Sequence, residues 1–122
     1  MNDAVPRISI DGDDDAAIVV AHVSGEIDLA SAQTIGGELA EAVPNQALGL
    51  ILDLAGTSYL DSSGISLLFE LAERLRRRQQ QLSLVVPADA SLRRVLRIVN
   101  AGDVVSIVET VEEAASQIRA AA

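Results

Sequence analysis

The eight residues Ala47–Leu54, ALGLILDL, constrain this chain more than any other stretch. A strand with one wet face alternates apolar and polar residues. This run barely alternates, so it fits a strand covered on both faces or lying centrally in a sheet. Pro44-Asn45 separates it from the helical pattern before it. Another helical pattern follows, so the rest of the fold must supply layers to cover this strand.

The remaining sequence supplies those layers. Arg7–Ile10 alternates and predicts a short first strand, and Asp11–Asp15 is a charged turn. Ala16–Val23 (AAIVVAHV) is a β-branched run that predicts a strand broken by Ser24-Gly25. The next stretch has helical spacing, with Leu29, Ala32, Ile35, Leu39 and Ala42 on one side. Gly36-Gly37 weakens that helix by roughly 1 kcal/mol each relative to Ala. After the central run, Ile65, Leu68, Ala72 and Leu75 recur at helical spacing, widened by Leu67 and Leu71. Arg74, Arg76, Arg77 and Arg78 lie near that helix's end, where cations suit the dipole. Leu82–Val86 is the next strand, stopped by Pro87. Asp89 is the expected N-cap of the helix in ASLRRVLRIVN, and Gly102 its stop signal. Val104–Val108 is a short strand, and Thr110-Val111-Glu112-Glu113 is a capping-box pattern opening a last helix.

The order is therefore β-β-α-β-α-β-α-β-α, an α/β domain with mostly parallel pairing and a hairpin at its start. A chain of 122 residues suits one domain spanning 1–122, with 1–6 as a loose terminus. Its core must be aliphatic, because Tyr59 and Phe69 are its only aromatics.

Composition removes several functions. The net charge of −9 argues against nucleic acid or an anionic membrane surface as main partner, and stacking platforms for single strands are missing. There is no cysteine, hence no disulfide framework or thiolate metal site. No apolar run approaches the ~18 residues of a membrane span, and the start lacks a signal peptide's basic and apolar regions. The expected location is the cytoplasm.

Asp61-Ser62-Ser63-Gly64, at the junction between the central run and the following helix, is the stretch richest in chemistry. Catalysis there is disfavoured. A nucleophilic serine needs an adjacent base. His22 is the only histidine and sits in a strand run, while all nine basic residues are arginine, so a Ser-Lys dyad cannot form. The Gly-x-Ser-x-Gly elbow is absent too, since Asp61 precedes Ser63 by two. Asp53 invites two enzyme readings. A phosphorelay receiver would need a late lysine and acids at the exit of the first parallel strand. A phosphatase of the Asp-x-Asp-x-Thr type would need a second acid where Ala55 stands. Asp53 is expected to end a strand with a hydrogen bond. The Asp11–Asp15 carboxylates lack the spacing and distal Glu of a calcium loop. No cofactor is implied.

Capping and modification remain. Asp61 or Ser62 can cap the helix, and the residues alone leave the two tied. Gly64 would leave the first turn unshielded to an approaching chain. Ser62 and Ser63 are both candidate acceptors for a phosphate, which adds about −1.5 to −2 charge.

Three stretches resemble the STAS domain, in particular anti-sigma factor antagonists: Val23–Ile35 (VSGEIDLASAQTI), Leu48–Leu71 around Asp-Ser-Ser-Gly, and Leu84–Ala114. The resemblance spans nearly the whole chain, in order. It implies a small, mostly parallel or mixed sheet of four to five strands, with about four helices packed largely on one face. It implies a non-enzymatic partner switch that binds an anti-sigma factor with serine kinase activity, loses it on phosphorylation of Ser63, and is reset by a serine phosphatase. ATP would belong to the kinase. Asp61, Ser62 and Gly64 map to motif positions around Ser63, and Asp28 to an acidic position in the strand-helix loop beside it. Ser58 stands where family members commonly carry an apolar residue. STAS domains also serve as unphosphorylated scaffolds and as transport-accessory modules, which are the alternative roles.

Overall fold

The computed structural model describes residues 7–12 and 17–121. The expected loose terminus and most of the acidic turn lie outside them. Five strands form one sheet in chain order: β1 (Arg7–Gly12), β2 (Ile18–Ile27), β3 (Gly49–Leu60), β4 (Gln81–Val85) and β5 (Ser106–Val108). β1 is antiparallel to β2, and all later neighbours are parallel. The helices are α1 (Leu29–Ala42), α2 (Ser62–Arg77), α3 (Ser91–Ile98) and α4 (Val111–Ala121), with a 3₁₀ turn at Ala101–Asp103.

The strand order explains the layering. Each parallel step moves to the next position in the same direction, and right-handed crossovers then place α1, α2 and α3 on one face. There Leu50, Leu52 and Leu54 of β3 meet Leu39, Leu71, Leu75 and Leu96 in one aliphatic core. α4 follows the last strand and covers the opposite face, where Ala114 and Ile118 pack on Ile18, Ile51, Val85 and Val108. The apolar run in β3 is thus covered on both faces. Leu50, Ile51 and Leu52 are all buried, each contributing about 1.5–3 kcal/mol relative to exposure.

β2 and β3 are both longer than their apolar runs. β2 does not break at Ser24-Gly25 but continues to Ile27, and β3 continues through Ala55–Leu60. Irregular pairing between His22 and Ser24 and between Gly25 and Glu26 accommodates the extension. Gly25 adopts φ 92°, a conformation that suits glycine. Buried Thr57 donates its hydroxyl to Val23 O at 2.8 Å, and Ser58 donates to Gly25 O at 3.2 Å. Side-chain hydroxyls thus support the ladder where the apolar pattern stops. Ser58 in this place bridges the two strands.

Other local expectations shift. Leu29 does not join the buried side of α1 but is 78% exposed. Asp89 does not cap α3: the N-cap is Ala90, with no side-chain bond. The chain leaves α3 through Asn100 in the left-handed region (φ 58°), upstream of Gly102. Asparagine tolerates that conformation because its short polar side chain can bond locally. At α4 the Thr110 hydroxyl accepts from Glu113 N at 3.1 Å, while the Glu113 carboxylate reaches Glu109 N at 3.4 Å, one residue short of a reciprocal box.

Candidate functional site

The extended ends of β2 and β3 deliver two helix starts side by side. Ile27 pairs with Leu60, and Asp61 N donates to Ile27 O at 3.2 Å. One residue past each strand stands an aspartate N-cap, Asp28 for α1 and Asp61 for α2. Asp28 accepts from Ser31 N at 3.1 Å while Ser31 Oγ accepts from Asp28 N at 3.2 Å, a reciprocal pair. Asp61 accepts from Ser63 N at 2.8 Å and Gly64 N at 3.1 Å through one oxygen, Oδ1. The cap of α2 is therefore Asp61 and not Ser62. A carboxylate is the better choice, because its full charge also meets the positive end of the helix.

Capping fixes the roles of the other motif residues. Ser62, in the first turn, is exposed. Ser63 is half-buried, with its backbone N–H held by Asp61. Gly64 does not open the first turn to a visitor, as sequence reasoning expected. It is buried, and a Cβ there would stand 2.8 Å from Leu60 Cδ2 and 3.2 Å from Ile27 O. Its missing side chain lets α2 sit down onto the ends of β2 and β3. The structure thus brings Asp28, Asp61, Ser62 and Ser63 to one end of the sheet, with Gly64 beneath them.

From this end an open groove runs between α1 and α2, with a volume of about 940 Å³. Leu29, Ala32, Gln33 and Gly36 line it from α1, and α2 contributes Ser62, Ser63, Ser66, Leu67, Phe69, Glu70, Leu71, Glu73, Arg74 and Arg77. The two helices approach closely at Gly36, where a Cβ would meet Leu67 Cδ1 at 2.6 Å. The glycine that weakens α1 in isolation is what allows this contact. Within the lining, Glu73 takes two hydrogen bonds from Arg76, at 2.6 and 3.1 Å, which hold its carboxyl below the usual range. At the far end, Arg78 donates to Val43 O and Asn45 Oδ1, both at 2.9 Å, tying the end of α2 to the end of α1.

Sequence reasoning missed one cluster. His22 and Asp53 project from the sheet face that carries α4. His22 Nδ1 lies 2.7 Å from Asp53 Oδ2, and Nε2 lies 3.3 Å from Asp11 Oδ2. Asp53 Oδ1 also accepts from Ala55 N at 3.0 Å. Asp53 therefore does not end a strand; it sits within β3 with both oxygens engaged. The parallel pairing of His22 with Asp53 was the missing signal, and it becomes visible only once the register is known. Among the described residues no group of three or more His, Cys, Asp and Glu side chains is arranged to hold a metal, and no helix is long and apolar enough to cross a membrane.

Similar folds are known. An anti-sigma factor antagonist from Mycobacterium paratuberculosis superposes with a TM-score of 0.82 at 22% identity, covering 95% of this chain and 96% of that one. The anti-sigma factor antagonist SpoIIAA in its unphosphorylated form gives 0.75 at 22% identity, covering 93% and 97%. The Bacillus cell fate determinant SpoIIAA in its phosphorylated form gives 0.67 at 21%, covering 92% and 99%. A search of curated protein sequences finds no match. Residues 7–114 match the profile of the STAS domain, which covers most of the chain. With its five-stranded mixed sheet and four helices, the chain belongs to the STAS domain family.

Proposed function

We propose that this protein is an anti-sigma factor antagonist. It binds an anti-sigma factor that is also a serine kinase, and it is released when that kinase phosphorylates Ser63. The chain itself is substrate and ligand, not enzyme, and it works in the cytoplasm; a serine phosphatase would restore the binding form. The observation that carries this reading is the geometry of the α2 start. Asp61 fixes the backbone of Ser63, and Ser63 is half-buried at the mouth of the groove. Asp28, Asp61 and Ser62 surround the acceptor and form the docking rim, and Gly64 sets the depth of α2 beneath it.

The same geometry gives the switch a physical mechanism. A helix N-terminus ordinarily welcomes a phosphate because its N–H groups point outward. Here Asp61 already occupies the N–H groups of Ser63 and Gly64. A phosphate of about −1.5 to −2 charge on Ser63 would therefore lie near an existing carboxylate with few donors left to share. Repulsion between two unit charges is about 1 kcal/mol at 4 Å in water and about 4 kcal/mol at an effective dielectric of 20. Docking a partner excludes water and moves the site toward the second figure. Phosphorylation thus weakens the complex more than it weakens the free fold.

The test is incubation with the purified anti-sigma factor and ATP, with Ser62→Ala and Ser63→Ala in parallel. Labelling should disappear only in Ser63→Ala. Ser63→Glu should fold with stability within about 1 kcal/mol of wild type and bind the anti-sigma factor at least tenfold more weakly. Labelling that survives Ser63→Ala, or tight binding by Ser63→Glu, defeats the proposal. A stable complex with a scaffold or transport protein lacking kinase activity would favour the alternative STAS roles.

A further inference from the structure

We infer that the groove between α1 and α2 is the seat of an amphipathic helix from the same partner that reaches Ser63, and that Arg74 and Arg77 select carboxylates at one end of that helix. The inference rests on the anti-sigma factor reading and extends the contact far beyond the phosphorylation motif. Both helices start at the same end of parallel strands, so they run alongside each other and the groove follows them. Its wall on α2 repeats at three- and four-residue steps through Ser63, Ser66, Glu70, Arg74 and Arg77. From Ser63 to Arg77 that wall is about 21 Å long at about 1.5 Å per residue. This matches a helix of about four turns and exceeds the length of a compact small ligand.

Charge decides the occupant's chemistry. The chain carries −9, yet two arginines line this groove. Among the described residues the Arg74 and Arg77 side chains make no hydrogen bond or ion pair, although Arg77 lies within the field of the Glu73 carboxylate, whereas neighbouring Arg76 is bonded to Glu73 and Arg78 to Val43 and Asn45. Glu73, one of two acids in the lining, already holds Arg76 through both carboxylate oxygens. Glu70 lies one turn before Arg74 and faces the middle of the groove, where a basic or amide side chain suits it. Leu29, 78% exposed at the rim near Ser63, provides an apolar contact beside the acceptor. The groove thus presents an apolar and hydroxyl-bearing end at Ser63, an acid at its middle and, at its far end, two guanidiniums without a hydrogen bond or ion pair beside a Glu73 already bonded to Arg76. Guanidinium pairs with carboxylate in a fixed bidentate geometry, which sets the register of the incoming helix.

The probe is the purified anti-sigma factor kinase that labels Ser63. Affinity is measured by calorimetry for wild type, Arg74→Glu/Arg77→Glu, Ser66→Trp, Ser63→Glu, and Arg94→Glu/Arg97→Glu as a control of equal charge change on α3. The groove double variant and Ser66→Trp should each weaken binding at least tenfold, and the α3 control less than twofold. Circular dichroism establishes that each variant is folded. Hydrogen exchange on the partner should show protection over a contiguous helical segment bearing Asp or Glu, lost with the groove double variant. If Ser63→Glu weakens binding while both groove variants stay within twofold of wild type, the groove inference fails and the partner-switching reading stands. If Ser63→Glu also leaves binding unchanged, that reading fails and takes the inference with it. A small amphiphile retained by wild type in native mass spectrometry and lost from Arg74→Glu/Arg77→Glu, with partner affinity unchanged, overturns the helix as occupant.

Discussion

Removing the cap of α2 separates the roles of the four motif residues. Asp61→Ala deletes the acceptor for two backbone N–H groups, at 2.8 Å from Ser63 and 3.1 Å from Gly64. Loss of an N-cap side chain costs about 1 kcal/mol on average and up to about 2. This site belongs toward the upper end. Gly64 is buried against Leu60 and Ile27, so water reaches its freed N–H poorly, while Ser63 is only half-buried and can be rehydrated. The expected loss is about 1.5 kcal/mol, or about 5–7 °C in melting temperature for a chain of this size. Asp61→Asn keeps an acceptor and loses only the charge at the helix end, so it should cost less than about 1 kcal/mol. Ser62→Ala removes an exposed hydroxyl with no hydrogen bond among the described residues, and should fall within about 0.5 kcal/mol. Urea titrations of the four proteins measure these differences at constant m. If Ser62→Ala costs as much as Asp61→Ala, or if Asp61→Ala matches wild type, the assignment of Asp61 as the cap and of Ser63 as a backbone-anchored acceptor is wrong. The kinase assay adds a second readout: Asp61→Ala should slow Ser63 labelling, because the acceptor's turn frays, while Ser62→Ala should not.

Two adjacent glycines should respond oppositely to one substitution. Gly37→Ala points into open space and should stabilise by about 0.5–1 kcal/mol, whereas Gly36→Ala pushes a Cβ to 2.6 Å from Leu67 Cδ1 and should give no gain or a net loss, as calorimetric melting will show. Thr57→Val keeps the shape but leaves Val23 O without the hydroxyl it accepts at 2.8 Å, so chemical denaturation should report a loss of about 1–2 kcal/mol. Arg78→Ala removes donors to Val43 O and Asn45 Oδ1, both at 2.9 Å, and should cost about 1–2 kcal/mol; Arg78→Lys should recover only part of it, since a single ammonium reproduces the fork poorly.

Most of the element order was legible because burial leaves a periodic record. The apolar run of β3 forced a two-sided layer, and α4 on the far face supplies it through Ala114 and Ile118. Boundaries were legible only where apolar periodicity and pairing end together. They part company at Ser24-Gly25 and at Ala55–Leu60. There the strands persist because each is the other's partner, and because Thr57 and Ser58 bond across them. No local pattern announces such mutual support: a polar, glycine-containing stretch usually turns, and this one is kept extended by a neighbour far away in sequence. The cap of α3 fails for a related reason. Asp89 has the right chemistry, but the chain places Ala90 at the cap position, one residue on.

The site was half legible for the same physical reason. That Asp61-Ser62-Ser63-Gly64 opens a helix follows from composition, but which side chain caps it depends on the direction of approach. The strand ends at Leu60, tied through Asp61 N to Ile27 O, so Asp61 is the residue in the extended cap conformation and its carboxylate turns onto the next N–H groups. That choice settles the others by helical geometry. Ser62 emerges exposed and Ser63 half-buried, both at the mouth of the groove, and Gly64 turns inward against the strand ends. A glycine expected to admit a visitor from outside instead admits the helix from inside. The cluster of four arginines reads in the sequence as a solvated helix end open to an acidic partner, and the structure divides it: Arg76 and Arg78 are spent on local bonds, while Arg74 and Arg77 line the groove without a hydrogen bond or ion pair. Sequence proximity treats them as one patch, whereas the helix turns them toward different neighbours, so charge reversal at Arg74 and Arg77 should affect a partner, and truncation of Arg78 should affect the fold.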